Sequence, residues 1–229
     1  MDRYTLGNEK NGPSSEVVKN KNGQILYTAK YEYDANGKLL KEVFTNSKNE
    51  ADGEVKYIYD KNLLITEELF ANNGELLETK TFNYTSSGKL RDITVKKNAD
   101  KATIRYRIYG MNKEMITECE SKWEEENYSE SFSTRKDATK ENLFIQEIFD
   151  EKKKQIGVIK IYLDKNNQIE KRENIQFNQT RMQTITYDEK LKVLSFSFFV
   201  KQEENWQLMK THYFIYDTAK TIPPAETKS

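Results

Sequence analysis

Tyr31-Glu32-Tyr33-Asp34-Ala35-Asn36-Gly37-Lys38-Leu39 sets the reading of this chain, because copies of it recur at near-constant intervals. Tyr57-Ile58-Tyr59-Asp60-Lys61-Asn62-Leu63-Leu64 follows, and then Phe82-Asn83-Tyr84-Thr85-Ser86-Ser87-Gly88-Lys89-Leu90. The second aromatics fall at 33, 59, 84 and 109, in steps of 26, 25 and 25. A fixed period of this size means one supersecondary unit repeated along the chain.

The unit is a β-hairpin. Ile25, Tyr27, Ala29, Tyr31 and Tyr33 alternate with the mostly polar Gln24, Leu26, Thr28, Lys30 and Glu32, as in a half-buried strand. Asp34-Ala35-Asn36-Gly37 supplies the turn, since Asn and Gly tolerate positive φ. The strand from Lys38 to Asn46 returns. Val55, Tyr57 and Tyr59 repeat the pattern, as do Phe82 with Tyr84, and Ile104, Tyr106 and Ile108. Met115, Thr117, Cys119, Ser121 and Trp123 alternate with charged residues.

Between 124 and 142 the pattern weakens to polar loops around a short strand candidate, Tyr128 to Thr134, and this stretch is a candidate seam between two half-arrays. The motif returns at Tyr162-Leu163-Asp164-Lys165-Asn166-Asn167, with Leu163 in place of the second aromatic, and at Tyr187-Asp188 and Tyr216-Asp217. Leu194, Phe196, Phe198 and Val200 form the most apolar strand face, and Gly157 marks a bulge or a close backbone approach. No amphipathic helical window longer than two turns is present. The expected fold is all-β, an antiparallel hairpin repeat array, with a rolled meander, a barrel and a two-sheet sandwich left open. Residues 24–217 form the domain, 1–23 a flexible tether and 218–229 a flexible tail. The apolar run from Trp206 to Tyr216 is expected to pair with another chain if it is an uncovered edge.

The string at 31–39 resembles the YD-repeat of bacterial surface and secreted proteins, and is similar to variant MORN-like hairpin repeats. The resemblance spans roughly 24–217. The copies at 31 and 57 keep both the aromatic-Asp pair and a nearby Asn, whereas Thr85 and Gly110 stand where two other copies need Asp. The resemblance implies an exported bacterial hairpin array attached to the cell envelope. It supplies no catalytic residues. Large YD-repeat proteins form shells around a toxin, and this chain is too short for one.

Composition narrows the function classes. Lys+Arg and Asp+Glu both number 37, so no basic excess marks a nucleic-acid partner. Cys119 is the sole cysteine, which excludes an intrachain disulfide and a cysteine-built metal site. Its alternation with Met115 and Trp123 reads as an ordinary buried thiol rather than a nucleophile. His212 is the sole histidine and cannot build a His-based zinc site, so its expected use is structural. The Asp34 and Asp164 turns resemble the start of calcium loops but lack the later ligands, so these carboxylates are expected to cap their own turns. No metal or cofactor is expected.

No transmembrane helix and no N-terminal signal peptide are legible. The polar first 23 residues fit the tether of an exported protein whose signal was trimmed, and equally a cytosolic N-terminus. The leading expectation is a non-enzymatic, envelope-associated binding or scaffold module. Its partner would be another envelope protein or a surface polymer, and lipid-anchored attachment is compatible with it. The alternative is a closed barrel holding an apolar small molecule or lipid, and a hydrolase ranks third. The candidate ligand- or partner-binding residues are Tyr31, Tyr33, Tyr57, Tyr59, Phe196, Phe198 and Trp206. The competing reading of the tyrosines is a packing ladder between hairpins.

Overall fold

The computed structural model describes residues 12–112, 115–176 and 179–216. Its strands are β1 (Ser15–Asn20), β2 (Ile25–Tyr33), β3 (Leu39–Asn46), β4 (Ala51–Asp60), β5 (Leu63–Ala71), β6 (Leu76–Tyr84), β7 (Leu90–Lys97) and β8 (Ala102–Asn112). The second half carries β9 (Met115–Trp123), β10 (Tyr128–Lys136), β11 (Leu143–Asp150), β12 (Gln155–Leu163), β13 (Ile169–Gln176), β14 (Gln179–Tyr187), β15 (Val193–Gln202) and β16 (Asn205–Ile215). Each strand pairs antiparallel with its sequence neighbours, and β1 pairs with β16, so the meander closes into a barrel. Of the three architectures left open by the alternation, this is the barrel.

Three expectations are corrected by that closure. The stretch 1–23 is not all tether: Ser15–Asn20 is β1, inserted between β2 and β16. The run from Trp206 is no free edge, because β16 is paired on both sides. The 124–142 region is no break in the sheet, since β10 bonds both β9 and β11. The tail at 218–229 lies outside the described residues.

Turn chemistry sets the hairpins. Asp34 Oδ1 accepts hydrogen bonds from the backbone N–H groups of Asn36 and Lys38, both at 2.8 Å. Asp164 does the same with Asn166 and Gln168, and Asp188 with Lys190 and Lys192. These carboxylates are committed to their own turns, and the N–H of Lys38 holds the Asp34 carboxyl below its usual range. Gly37 closes its turn at φ 85°, a left-handed conformation that glycine adopts without strain. The extra residue throws a bulge into the following pair, between Glu32 and Tyr33.

The same bulges explain where simple alternation fails. Tyr109 is not the fourth copy of the second aromatic. The β8–β9 ladder shifts between Ile108 and Gly110, and Tyr109 stands 59% exposed on the opposite face. Likewise Val193 pairs with Tyr187 and is buried, which leaves Leu194 43% exposed and off the Phe196 face. At Gly157 the ladder also shifts, and a Cβ there would lie 2.5 Å from Gln176 Cγ.

Register and burial separate the two walls. Side chains converge on the concave side of a closed sheet, so the face carrying Val18 (0% exposed), Val55 (1%) and Phe196 (1%) is the inner one. A recurring bond ties five of the hairpins to the one before. The Tyr33 hydroxyl donates to the Pro13 carbonyl at 2.8 Å, Tyr59 to Leu39 at 3.0 Å and Tyr84 to Leu64 at 2.8 Å. Tyr187 donates to Ile169 at 2.9 Å and Tyr216 to Val193 at 3.0 Å. The tyrosines of the motif are therefore a ladder between repeats.

A chain that starts after Asn20 lacks β1 and leaves β2 and β16 with bare edges. It is expected to self-associate through them. Light scattering after size exclusion checks this, and a monomeric, cooperatively folding truncation would contradict the closure.

Candidate functional site

The inner wall is built from rings of equivalent positions. One ring holds Glu16, Glu42, Glu67, Ile93, Cys119, Gln146, Arg172 and Phe196, one residue on each odd-numbered strand, 24–27 residues apart. Each faces the matching position of the preceding strand: Phe214, Tyr31, Tyr57, Phe82, Ile108, Thr134, Ile161 and Ile185. Two residues further along lies a mostly apolar ring: Val18, Phe44, Leu69, Val95, Ser121, Ile148, Asn174 and Phe198.

Three buried carboxylates sit on the β1, β3 and β5 arc. Glu16 is 5% exposed, Glu42 4% and Glu67 7%. Each is met by a donor, as burial of a charge requires. The Tyr31 hydroxyl donates to Glu16 and the Tyr57 hydroxyl to Glu42, both at 2.7 Å. Where Phe82 replaces the next tyrosine, Lys80 reaches Glu67 at 2.6 Å instead. His212 Nδ1 donates to Glu16 across the β1–β16 closure, while its buried Nε2 meets no partner among the described residues. Sequence reading missed these glutamates because acidic residues in a strand are usually solvated. Their 26- and 25-residue spacing, the same as that of the tyrosines, was the available signal.

The predicted residues divide by position. Tyr31, Tyr33, Tyr57 and Tyr59 line one stretch of the inner wall with Leu39 and Val55. Phe196 and Phe198 line another with Ile185, Val193 and Phe214. An aromatic run, edge-to-face at its first two contacts and tilted at the third, joins the two across the β1–β16 closure. Phe44 meets Tyr27 at 6.1 Å, Tyr27 meets His212 at 6.2 Å, and His212 meets Phe198 at 5.4 Å. Trp206 lies apart, 36% exposed at the start of β16 and paired with Lys201. The hydroxyls of Tyr33 and Tyr59 are held by backbone carbonyls. Tyr31, Tyr33, Phe44, Tyr59 and Phe198 each keep part of their surface accessible.

The wall is lined rather than filled. Phe44, Ile93, Tyr106, Phe132, Ile159 and Phe198 lie on the inner face within the sheet, yet each keeps part of its surface accessible. In a closed barrel that surface opens onto the interior. Sixteen strands enclose more cross-section than one layer of side chains occupies.

The outer wall differs in kind. Lys30, Glu32, Lys56, Arg91, Arg105, Arg107, Glu118 and Lys122 stand exposed on it. Lys41 and Lys56 pair with Glu54 at 2.5 and 3.1 Å, and Lys171 with Glu173 at 2.9 Å. A lysine or arginine facing lipid at mid-membrane costs about 2–4 kcal/mol each.

No protein-family model matches the chain, and no curated protein matches it. Among solved structures, a porin-like protein from Bacteroides uniformis is similar over 93% of this chain and 100% of its own, at 13% identity and TM-score 0.55. The Photorhabdus luminescens Tc holotoxin pore matches 80% of this chain with 9% of its own, at 13% identity and TM-score 0.36. The TcdB2-TccC3 structure without its hypervariable C-terminal region also matches 80% of this chain with 9% of its own, at 14% identity and TM-score 0.34. The likeness to the porin-like protein is one of fold, an all-β closed barrel.

Burial also sets the titration of the inner wall. It pushes the Tyr59 and Tyr187 phenols up to about 12, and the Cys119 thiol up to about 11 with the Glu120 carboxylate adding to it. Cys119 is 2% exposed, a buried thiol as its alternation predicts. An unfolded tyrosine releases its proton near 10. Between pH 10 and 12 the unfolded chain therefore binds fewer protons than the folded one, so this contribution is full below pH 10 and is lost as pH rises through 12. The denaturant midpoint is expected to fall steadily over that window, and Tyr59→Phe with Tyr187→Phe to flatten the fall. Unfolding curves at stepped pH, with phenolate absorbance followed in parallel, check both. Cys119 is expected to resist alkylation at pH 8 until denaturant is added.

Proposed function

We propose that the protein is a non-catalytic container whose closed barrel holds an apolar or amphipathic small molecule in its interior. Of the two leading expectations from sequence, this favours the ligand-holding barrel over the scaffold. One observation carries it: an apolar and aromatic inner wall stays partly accessible inside a closed sheet, while the outer wall carries charge on strand after strand. A membrane-spanning barrel has the reverse arrangement, apolar outside and polar within. A ligand with a hydrocarbon body would gain about 25 cal/mol for each Å² of apolar surface taken from water.

The lining gives such a ligand an orientation. Aromatic and aliphatic side chains cover most of the second ring, from Val18 to Phe198. Glu16, Glu42, Glu67, Lys80 and His212 mark one polar arc from β16 to β6. The apolar part of a ligand belongs against Phe44, Phe132 and Phe198, and a polar headgroup toward that arc. Export to the cell envelope remains part of the proposal, on the strength of the YD-like repeat.

Native mass spectrometry of freshly purified protein, with no delipidation, tests the reading. The expected result is a reproducible extra mass of a few hundred daltons. Phe198→Glu and Phe132→Glu, both on the inner wall, should release it, while Leu194→Glu on the outer wall should not. A bare chain, or an adduct lost equally in all three variants, would overturn the container.

A further inference from the structure

Among the described residues, the outer wall carries a concavity whose outward-facing side chains the container does not use. It lies across β8 to β11 and encloses about 490 Å³, within the range of small-molecule sites. It is lined by Tyr109, Glu118, Glu120, Ser131, Ser133 and Phe149, with Lys153 from the turn after β11, and by Cys119 and Phe132, whose places in the ladder are on the inner face.

The register shows how it arises. Ser131 faces Phe149 on one side and Glu120 on the other, and Ser133 faces Glu118. Two small serines on the outer face of β10 make a low floor. Taller side chains rise on both flanks: Phe149 from β11, and Tyr109 from β8. Tyr109 is 59% exposed, and its hydroxyl donates to Glu120 at 2.9 Å. That bond steadies the phenol as one wall of the trough and leaves Glu120 with further lone pairs to accept hydrogen bonds.

The lining selects among ligand classes. Glu118 and Glu120 oppose an anion, and Lys153 opposes a cation. Two serine hydroxyls, two carboxylates and an ammonium together offer donors and acceptors to a neutral molecule rich in hydroxyls. Tyr109 and Phe149 offer apolar ring faces, which suit a ligand whose own face is a set of C–H groups. We propose that this trough is a binding site for a neutral saccharide, its C–H face against Tyr109 or Phe149 and its hydroxyls shared between Ser131, Ser133 and the two glutamates. The side chains assigned to the saccharide, Tyr109, Phe149, Ser131, Ser133 and the two glutamates, are not those assigned to the interior ligand, so Tyr109→Ala tests this site separately from the container.

Saturation-transfer NMR with the full chain tests it, using millimolar neutral mono- and disaccharides of the gluco, galacto, manno and N-acetylglucosamine types. Spermidine and inorganic phosphate serve as charged probes. The expected result is transfer to at least one saccharide class and to neither charged probe. Tyr109→Ala, on an exposed ring, should weaken that binding about tenfold or more, which is 1.4 kcal/mol or more, with the melting temperature unchanged. Ser131→Trp, which fills the floor, should do the same. If Ser131→Trp fails to fold, Tyr109→Ala alone decides. Absence of transfer to every saccharide, transfer untouched by Tyr109→Ala, or binding of spermidine in their place would overturn the assignment.

Discussion

Five hairpins of this barrel are held to the one before by a tyrosine hydroxyl on a backbone carbonyl, and the two-sided wall is organised around that lock. In an ordinary meander only ladder hydrogen bonds join neighbours, and these leave twist and curvature loosely set. Here Tyr33, Tyr59, Tyr84, Tyr187 and Tyr216 add a side-chain bond to the neighbouring strand, at Pro13, Leu39, Leu64, Ile169 and Val193. A ring laid toward the neighbouring strand on the inner face ties the two strands together on their concave side. These ties flank the closure of β16 on β1. The two-sided character of the wall follows, because aromatics committed inward leave the alternate positions to charge.

The lock is absent where the motif decays. Gly110, Lys136 and Leu163 stand near the ends of β8, β10 and β12, at the places of the missing tyrosines, so the arc from β7 to β11 lacks the tyrosine–carbonyl tie, and side-chain bonds such as Gln146–Thr134 and Tyr109–Glu120 supplement its ladder pairing instead. That arc also contains the outer concavity, with small serines on β10. Fewer tyrosine ties and a lowered outer surface fall together in one third of the barrel, while the β16–β6 side carries the buried carboxylates and their donors.

Strand class, hairpin period and turn chemistry were legible in the residues, because alternation and Asx turns are local. The Asp34 and Asp164 turns follow that reading bond for bond. Closure was not legible, since nothing local in Ser15–Asn20 shows that its partner is Tyr213 and its neighbours 200 residues away. Bulges were the second blind spot. Each adds one residue and flips the parity of the strand, which is how Tyr109 and Leu194 came to be placed on the wrong face. The buried glutamates were the third. Their role depends on a tyrosine 15 residues later, a separation that alternation does not test. The six inward candidates were readable as a face. That the face encloses an interior came only from the β1–β16 pairing, and Trp206 does not belong to it.

The central claim is that an accessible, apolar interior lies inside a water-facing wall. A crystal structure of protein purified without detergent or delipidation tests it most directly, through the density enclosed by the sheet. The account predicts continuous non-protein density against Phe44, Phe132 and Phe198, with the strands held apart around it. A flattened barrel, its two halves packed against each other through those same side chains with no enclosed density, would contradict it.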